Sequence, residues 1–299
     1  RQSRWIARSA PSRSAGSADA DWAGHCNGAA SAAQRHREPY KKVTRNGVSF
    51  TPQDLKALLA EIYMSAKRIA LGGYRCEKTD FPTDPNTRPN PQEASECEDV
   101  NPALLHLALS NWIGIAKYSI IMDLSIDRKI WNYPVYAYST NWQYISKSEA
   151  LSLLGSSFSE YKFNSFATKF AKVTTTIRLT SYLNSEAINY PRSSTVTYYY
   201  ILELANTGEI LGGEWIGSSI KKHPDFIWLS LEPVTPSGDS REANPEINYQ
   251  EVVKMWAESI GETNPYWGLM EPEWLGTWGK FNDFRVYIDG GSTGAVFLT

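Results

Sequence analysis

Strand-forming runs crowd the second half of this chain, while its clearest helix signals lie in the first. VTTTIRLTSYL, STVTYYYILEL, HPDFIWLSL and FRVYIDGGSTGAVFL are rich in β-branched and aromatic residues, which pack well on a pleated surface. Among them only YQEVVKMWAES carries helical spacing. Upstream, residues 52 to 70 form an amphipathic helix signal: Thr51 is the N-cap, Pro52 occupies the first turn, and Asp54 stands where a capping box needs an acid. Leu55, Leu58, Leu59, Ile62 and Ala66 share its apolar face. Helices early and strands late predict an α+β fold, with N-terminal helices packed on an antiparallel sheet.

The apolar runs LLHLALSNW and YSIIMDLSI, joined by IGIAK, read as a β-hairpin or two adjacent strands. A further helix is expected from Ser146, with Glu149 as its capping partner. The Ser-, Ala- and Arg-rich residues 1–20 have few apolar anchors and read as a disordered or loosely attached tail. They hold no h-region of signal-peptide length, so any export signal is expected to have been removed before this numbering begins. We expect one catalytic domain over 21–235, and 236–299 as an extension packed on it.

The balance of 30 basic and 32 acidic residues leaves a formal net charge of −2, which gives no field for recruiting nucleic acid. No apolar run is long enough for a membrane span. A monomer is expected. The four His and three Cys show no metal-ligand spacing, no organic-cofactor motif is present, and calcium dependence is left open. Eleven Trp in one chain suggest rigid apolar walls around a groove, with Trp22, Trp112, Trp131 and Trp215 as candidates.

Three cysteines leave at least one unpaired. Cys76 and Cys97 flank a loop rich in Pro, Asn, Asp and Thr, where a disulfide would staple a segment with little core; we expect them to be bridged in an oxidising, extracellular setting. Cys26 is then the leftover thiol. In DWAGHCNGAASAAQRH it precedes an Ala-rich run, so it falls near a helix N-terminus, where free N–H groups and the dipole favour a thiolate.

A thiol nucleophile for acyl transfer needs a base, a group to orient that base, and donors for the oxyanion. His25 adjoins Cys26 and would point away from it, and His36 sits among solvated residues; both read as surface groups. His106 and Asp123 occupy neighbouring apolar runs, and paired strands would bring them together as base and orienter. Against this, His106 alone also suits a core histidine bonded to a backbone carbonyl, and Arg178 is a second possible partner for Asp123. His223 and Asp225, two residues apart, form another His–acid pair, which local capping of the strand would equally explain.

Several separated segments together resemble the transglutaminase elicitors of plant-pathogenic oomycetes and their bacterial relatives. WAGHCNGAA is similar to that family's active-site cysteine helix, and VTRNGVSFTPQDLKALLAEIY to the helix after it. NPALLHLALSNWIG resembles its histidine segment, and IIMDLSIDRKIWNYPV its aspartate strand leading into the elicitor patch. GGEWIGSSIKKHPDFIW fits the pattern downstream, so the likeness runs over roughly residues 21 to 228. It implies a papain-like cysteine acyltransferase core with Cys26 as nucleophile, His106 as base and Asp123 as its orienter. It also implies protein substrates with exposed glutamine and lysine. Trp131, Asn132, Pro134 and Val135 match the patch that plant immune systems detect, with departures at Tyr133, Tyr136 and Ala137. The same residues leave open a papain-type protease, a glutamine deamidase, or a non-catalytic host-recognition protein.

Overall fold

The computed structural model describes residues 25–64, 66–73, 99–124, 126, 130–181, 192–230, 246–263 and 294–297. Its organising element is a sheet of eight strands, antiparallel at every pairing, in the order β3-β9-β4-β5-β6-β7-β8, with β10 added to β5. The strands are β3 (Arg68–Gly72), β4 (Ile120–Asp123), β5 (Asn132–Ile145), β6 (Lys169–Ser181), β7 (Arg192–Leu204), β8 (Ile210–Trp215), β9 (Ile227–Ser230) and β10 (Gly294–Phe297). A separate hairpin pairs β1 (Val43–Arg45) with β2 (Val48–Phe50) through the Asn46-Gly47 turn, both residues at positive φ. The α-helices among the described residues are α1 (Cys26–Arg35), α2 (Pro52–Ile62), α3 (Pro102–Ala108), α4 (Lys147–Leu154) and α5 (Tyr249–Ser259).

The mixture of helices and antiparallel sheet agrees with the sequence, and so do several local signals. Thr51 accepts the Asp54 N–H while the Asp54 carboxylate accepts the Thr51 N–H, closing the expected capping box on α2. Ser146 accepts the Glu149 N–H at the start of α4. Helix α5 coincides with YQEVVKMWAES.

Two readings are corrected. Helix α2 ends at Ile62 and not near 70, and Arg68–Gly72 become strand β3 paired to β9. LLHLALSNW is not a strand: α3 continues into a π-turn over Leu109–Ile115. Asn101 caps it by accepting the Ala103 N–H, and Pro102 fills the first position, where its missing donor costs nothing. Its buried positions include 102, 105, 106, 109, 112 and 113, which recur at helical spacing, so the run satisfies a helix face as well as a strand.

The sheet carries packing on both faces near β4. Ile120 and Met122 of β4, with Ile227 and Leu229 of β9, join the main core beneath Leu105, Leu109 and Ile113. Ile121 and Trp228 point the other way and pack against Ala30 of α1. Gln34 fastens α1 to that face, donating to the Ser119 carbonyl and accepting the Ser230 N–H at 2.8 Å. A second core gathers Ala32, Leu55, Leu59, Tyr63, Val252, Val253 and Trp256, so α1, α2 and α5 share apolar surface. Gly28 lets α1 approach α2 closely, because a Cβ there would collide with the Ala60 carbonyl oxygen.

Among the described residues no helix is long and apolar enough to cross a membrane. Thr51→Ala removes one half of the α2 capping box; it should lower unfolding stability by about 1 kcal/mol, read as a lower denaturant midpoint with an unchanged m-value.

Candidate active site around Cys26

Cys26 is the first residue of α1, and it is a thiol outside any disulfide. The first helical hydrogen bond is made by the Ala29 N–H to the His25 carbonyl, so the N–H groups ahead of it are left over from the helix ladder. The helix therefore presents donors and the positive end of its dipole at the sulfur, as the sequence predicts. The Cys26 thiol lies 3.6 Å from the Ile130 carbonyl oxygen as donor, and it accepts from Asn132 Nδ2 at 3.7 Å. Asn132 Oδ1 in turn accepts the Trp228 indole N–H at 2.8 Å.

Asp123 stands opposite Asn132 in the β4–β5 register, so their side chains share the face that carries α1. Its carboxylate accepts the Trp131 backbone N–H at 3.2 Å. Tyr133 registers both neighbours: burial raises its phenol above the ordinary range, and the charges of Cys26 and Asp123 push in the same direction.

His106 lies elsewhere. It is on α3, buried in the main core, and its Nδ1 is 2.8 Å from the Tyr200 hydroxyl. That hydroxyl continues to Thr175 at 2.7 Å, and Thr175 to Thr140 at 2.6 Å. The expected His106–Asp123 hydrogen bond does not form, because α3 packs on the face of β4 that carries Ile120 and Met122, opposite to α1. Burial holds the imidazole neutral, with its pKa lowered to about 4. It is a core histidine, satisfied by a tyrosine instead of a backbone carbonyl.

The second pair is also rearranged. His223 Nε2 meets Asp99 Oδ2 at 2.9 Å, its Nδ1 meets the Ser219 carbonyl at 2.8 Å, and the ring stacks on Trp215. Its acid is Asp99 and not Asp225; Asp225 is buried beside Asp123, donating its N–H to the Asp123 carbonyl at 3.2 Å. His36 is buried as well, not solvated: it bonds Tyr63 at 2.8 Å and meets the edge of Trp256, and burial together with Arg35 lowers its pKa to about 3. His25 alone is substantially exposed, and its bond to Glu61 raises its pKa.

Of the expected groove walls, Trp112 and Trp215 belong to the core, Trp215 donating to the Val100 carbonyl at 3.0 Å. Trp131 is 40 % exposed beside the site. Trp22 and the Cys76–Cys97 pair lie outside the described residues. Asn132 and Trp228 are the site residues that sequence reasoning missed. Trp228, in the strand run HPDFIWLSL, gives no sign that its indole reaches across two strands. Among the described residues no cluster of His, Cys, Asp and Glu has the makings of a metal site.

These features define an antiparallel α+β protein with a cysteine thiol at a helix start, facing an asparagine that a tryptophan holds in place. The sequence profile of the transglutaminase elicitor family matches residues 3–261, and the chain belongs to that family. The match is wider at both ends than the segments that first suggested it. The fold is similar to the crystal structure of the GP42 transglutaminase from Phytophthora sojae, with a TM-score of 0.62 and 25 % sequence identity. That similarity covers 80 % of this chain, which spans 64 % of the length of the Phytophthora chain. No curated protein matches.

His36 and His106 bind protons more weakly folded than unfolded, so both support the fold fully above the unfolded value of 6.5 and withdraw that support as pH falls towards their folded values of about 3 and about 4. Stability measured from pH 7.5 down to 5 should drop, and His106→Gln should remove close to one proton from the pH slope.

Proposed function

We propose that the chain is a secreted protein-glutamine γ-glutamyltransferase in which Cys26 forms a thioester with a glutamine side chain and passes the acyl group to a lysine amine. The catalytic unit is taken to run over 21–235 on a papain-like core, with 236–299 as an extension. The observation that carries the reading is the Cys26 sulfur: a thiol at a helix N-terminus, touched by a side-chain amide donor, in a chain of the transglutaminase elicitor family. Asp123 supplies negative charge at the same face of the sheet. His106 is left out of the machinery, because β4 stands between it and α1.

The balance of the first half-reaction needs no further cofactor. Sulfur bonds to the carboxamide carbon, the carbon–nitrogen bond breaks, and the proton of the thiol leaves with the nitrogen as ammonia. An amine attacking the thioester then gives the isopeptide and restores the thiol. Water in place of the amine gives deamidation, so the dryness of the site decides the product.

A second reading is recognition of a host partner without catalysis, and the exposed ring beside the site, Trp131, is the surface feature it would use. The patch matched to immune detection is largely interior in this fold. Asn132, Pro134 and Val135 are buried and only Trp131 is exposed.

Incorporation of a dansylated amine into casein separates these readings. The wild-type chain should label casein, and Cys26→Ala should reduce labelling to background. Ammonia release without labelling would make the protein a deamidase, casein cleavage a protease, and an inert wild type with a slowly alkylated thiol a recognition protein.

A further inference from the structure

The Asn132 side chain is a primary amide, and at its end oxygen and nitrogen can exchange places by a half-turn. In this site they cannot. Trp228 Nε1 is a donor only, so the atom 2.8 Å from it has to be the amide oxygen. The nitrogen is then turned towards the Cys26 sulfur, 3.7 Å away. Trp228 is 5 % exposed, packed with Ile121 and Ala30, and Asn132 is 4 % exposed, so neither side chain is free to swing out. One Nδ2 hydrogen faces the sulfur. Among the described residues the second makes no hydrogen bond.

Resting on the acyl-transfer reading, we infer that Asn132 is the side-chain donor that receives developing negative charge at this site, on the sulfur as it gives up its proton and on the substrate carbonyl oxygen as the thioester forms, and that Trp228 is the residue that positions it. When sulfur bonds to the carboxamide carbon, the carbonyl π pair moves onto oxygen. That oxygen sits on the carbon the sulfur has just joined, within reach of an amide nitrogen already in contact with the sulfur. Collapse returns the pair to the C=O bond and expels the nitrogen, which carries off the thiol's proton as ammonia. The donor set is then Asn132 Nδ2 together with the unused N–H groups at the start of α1. Because Trp228 already bonds the amide oxygen, the donor needs no reorientation as charge appears, the condition under which such a group contributes most.

The experiment compares wild type with Asn132→Ala, Asn132→Asp and Trp228→Phe, using a glutamine peptide and a dansylated amine, alongside the iodoacetamide alkylation rate of Cys26 against pH. Asn132→Ala is expected to lower kcat by roughly 10²–10³-fold with KM little changed. Asn132→Asp, which keeps the shape and loses the donor, should be no better. Trp228→Phe removes the indole N–H together with part of the buried ring, so it should give a smaller loss in the same parameter and a lower unfolding midpoint. In all three the rate of Cys26 alkylation should fall, a readout that a purely structural role would leave in place. An active wild type whose Asn132→Ala and Asn132→Asp variants keep their kcat and alkylation profile overturns the inference and leaves the acyl-transfer reading intact. A wild type that releases no ammonia and labels no protein overturns both.

Discussion

Strand β4 is four residues long and buried on both faces, and the placement of the site follows from that. Its alternation sends Ile120 and Met122 into the main core under α3, and Ile121 towards α1. A shift of one residue would exchange the two sets and put Asp123 on the α3 side. The hydrogen bonds of β4 to β5 and β9 hold it in register, so Asp123 faces Asn132 and Ile121 faces Trp228. Gln34 then seats α1 over these residues, bonding chain segments at the ends of β4 and β9. The position of Cys26 is thus decided at the far end of its own helix.

This arrangement places two kinds of polar interior on opposite faces of one sheet. On one side lie the Cys26 sulfur, Asn132 and the Trp228 indole. On the other, His106, Tyr200, Thr175 and Thr140 form a chain of short bonds between uncharged groups. Burial keeps that imidazole neutral, which suits a hydrogen-bonded core and would be costly for a charged one. His36, bonded to Tyr63 against Trp256, solves the same problem in the second core. Histidine in this protein serves mainly to satisfy buried tyrosines and to tie chain segments together, as His223 does with Asp99 and Ser219.

Membership of the transglutaminase elicitor family gives the cysteine its chemical context. The patch that begins at Trp131 is, in this fold, the opening of β5 and part of the Cys26 surroundings. Asn132 is therefore two things at once, the first residue of a long strand and a contact of the thiol. Its burial ties both to the integrity of the sheet.

Local signals were legible in the sequence wherever a few neighbouring residues decide the outcome. The capping box at Thr51 and Asp54, helix α5, the long strands β6 and β7, and Cys26 at a helix start all follow from short-range hydrogen bonding and periodicity. The segment around His106 was misread because its apolar spacing fits a strand and a buried helix alike, and the Asn101-Pro102 cap decides between them. Once that segment became a helix, the supposed pairing of His106 with Asp123 lost its basis. Cross-strand register, the face to which each side chain points, and the reach of Trp228 across the sheet to Asn132 belong to the tertiary structure alone. They depend on contacts between residues about a hundred positions apart, which no local pattern of residues encodes.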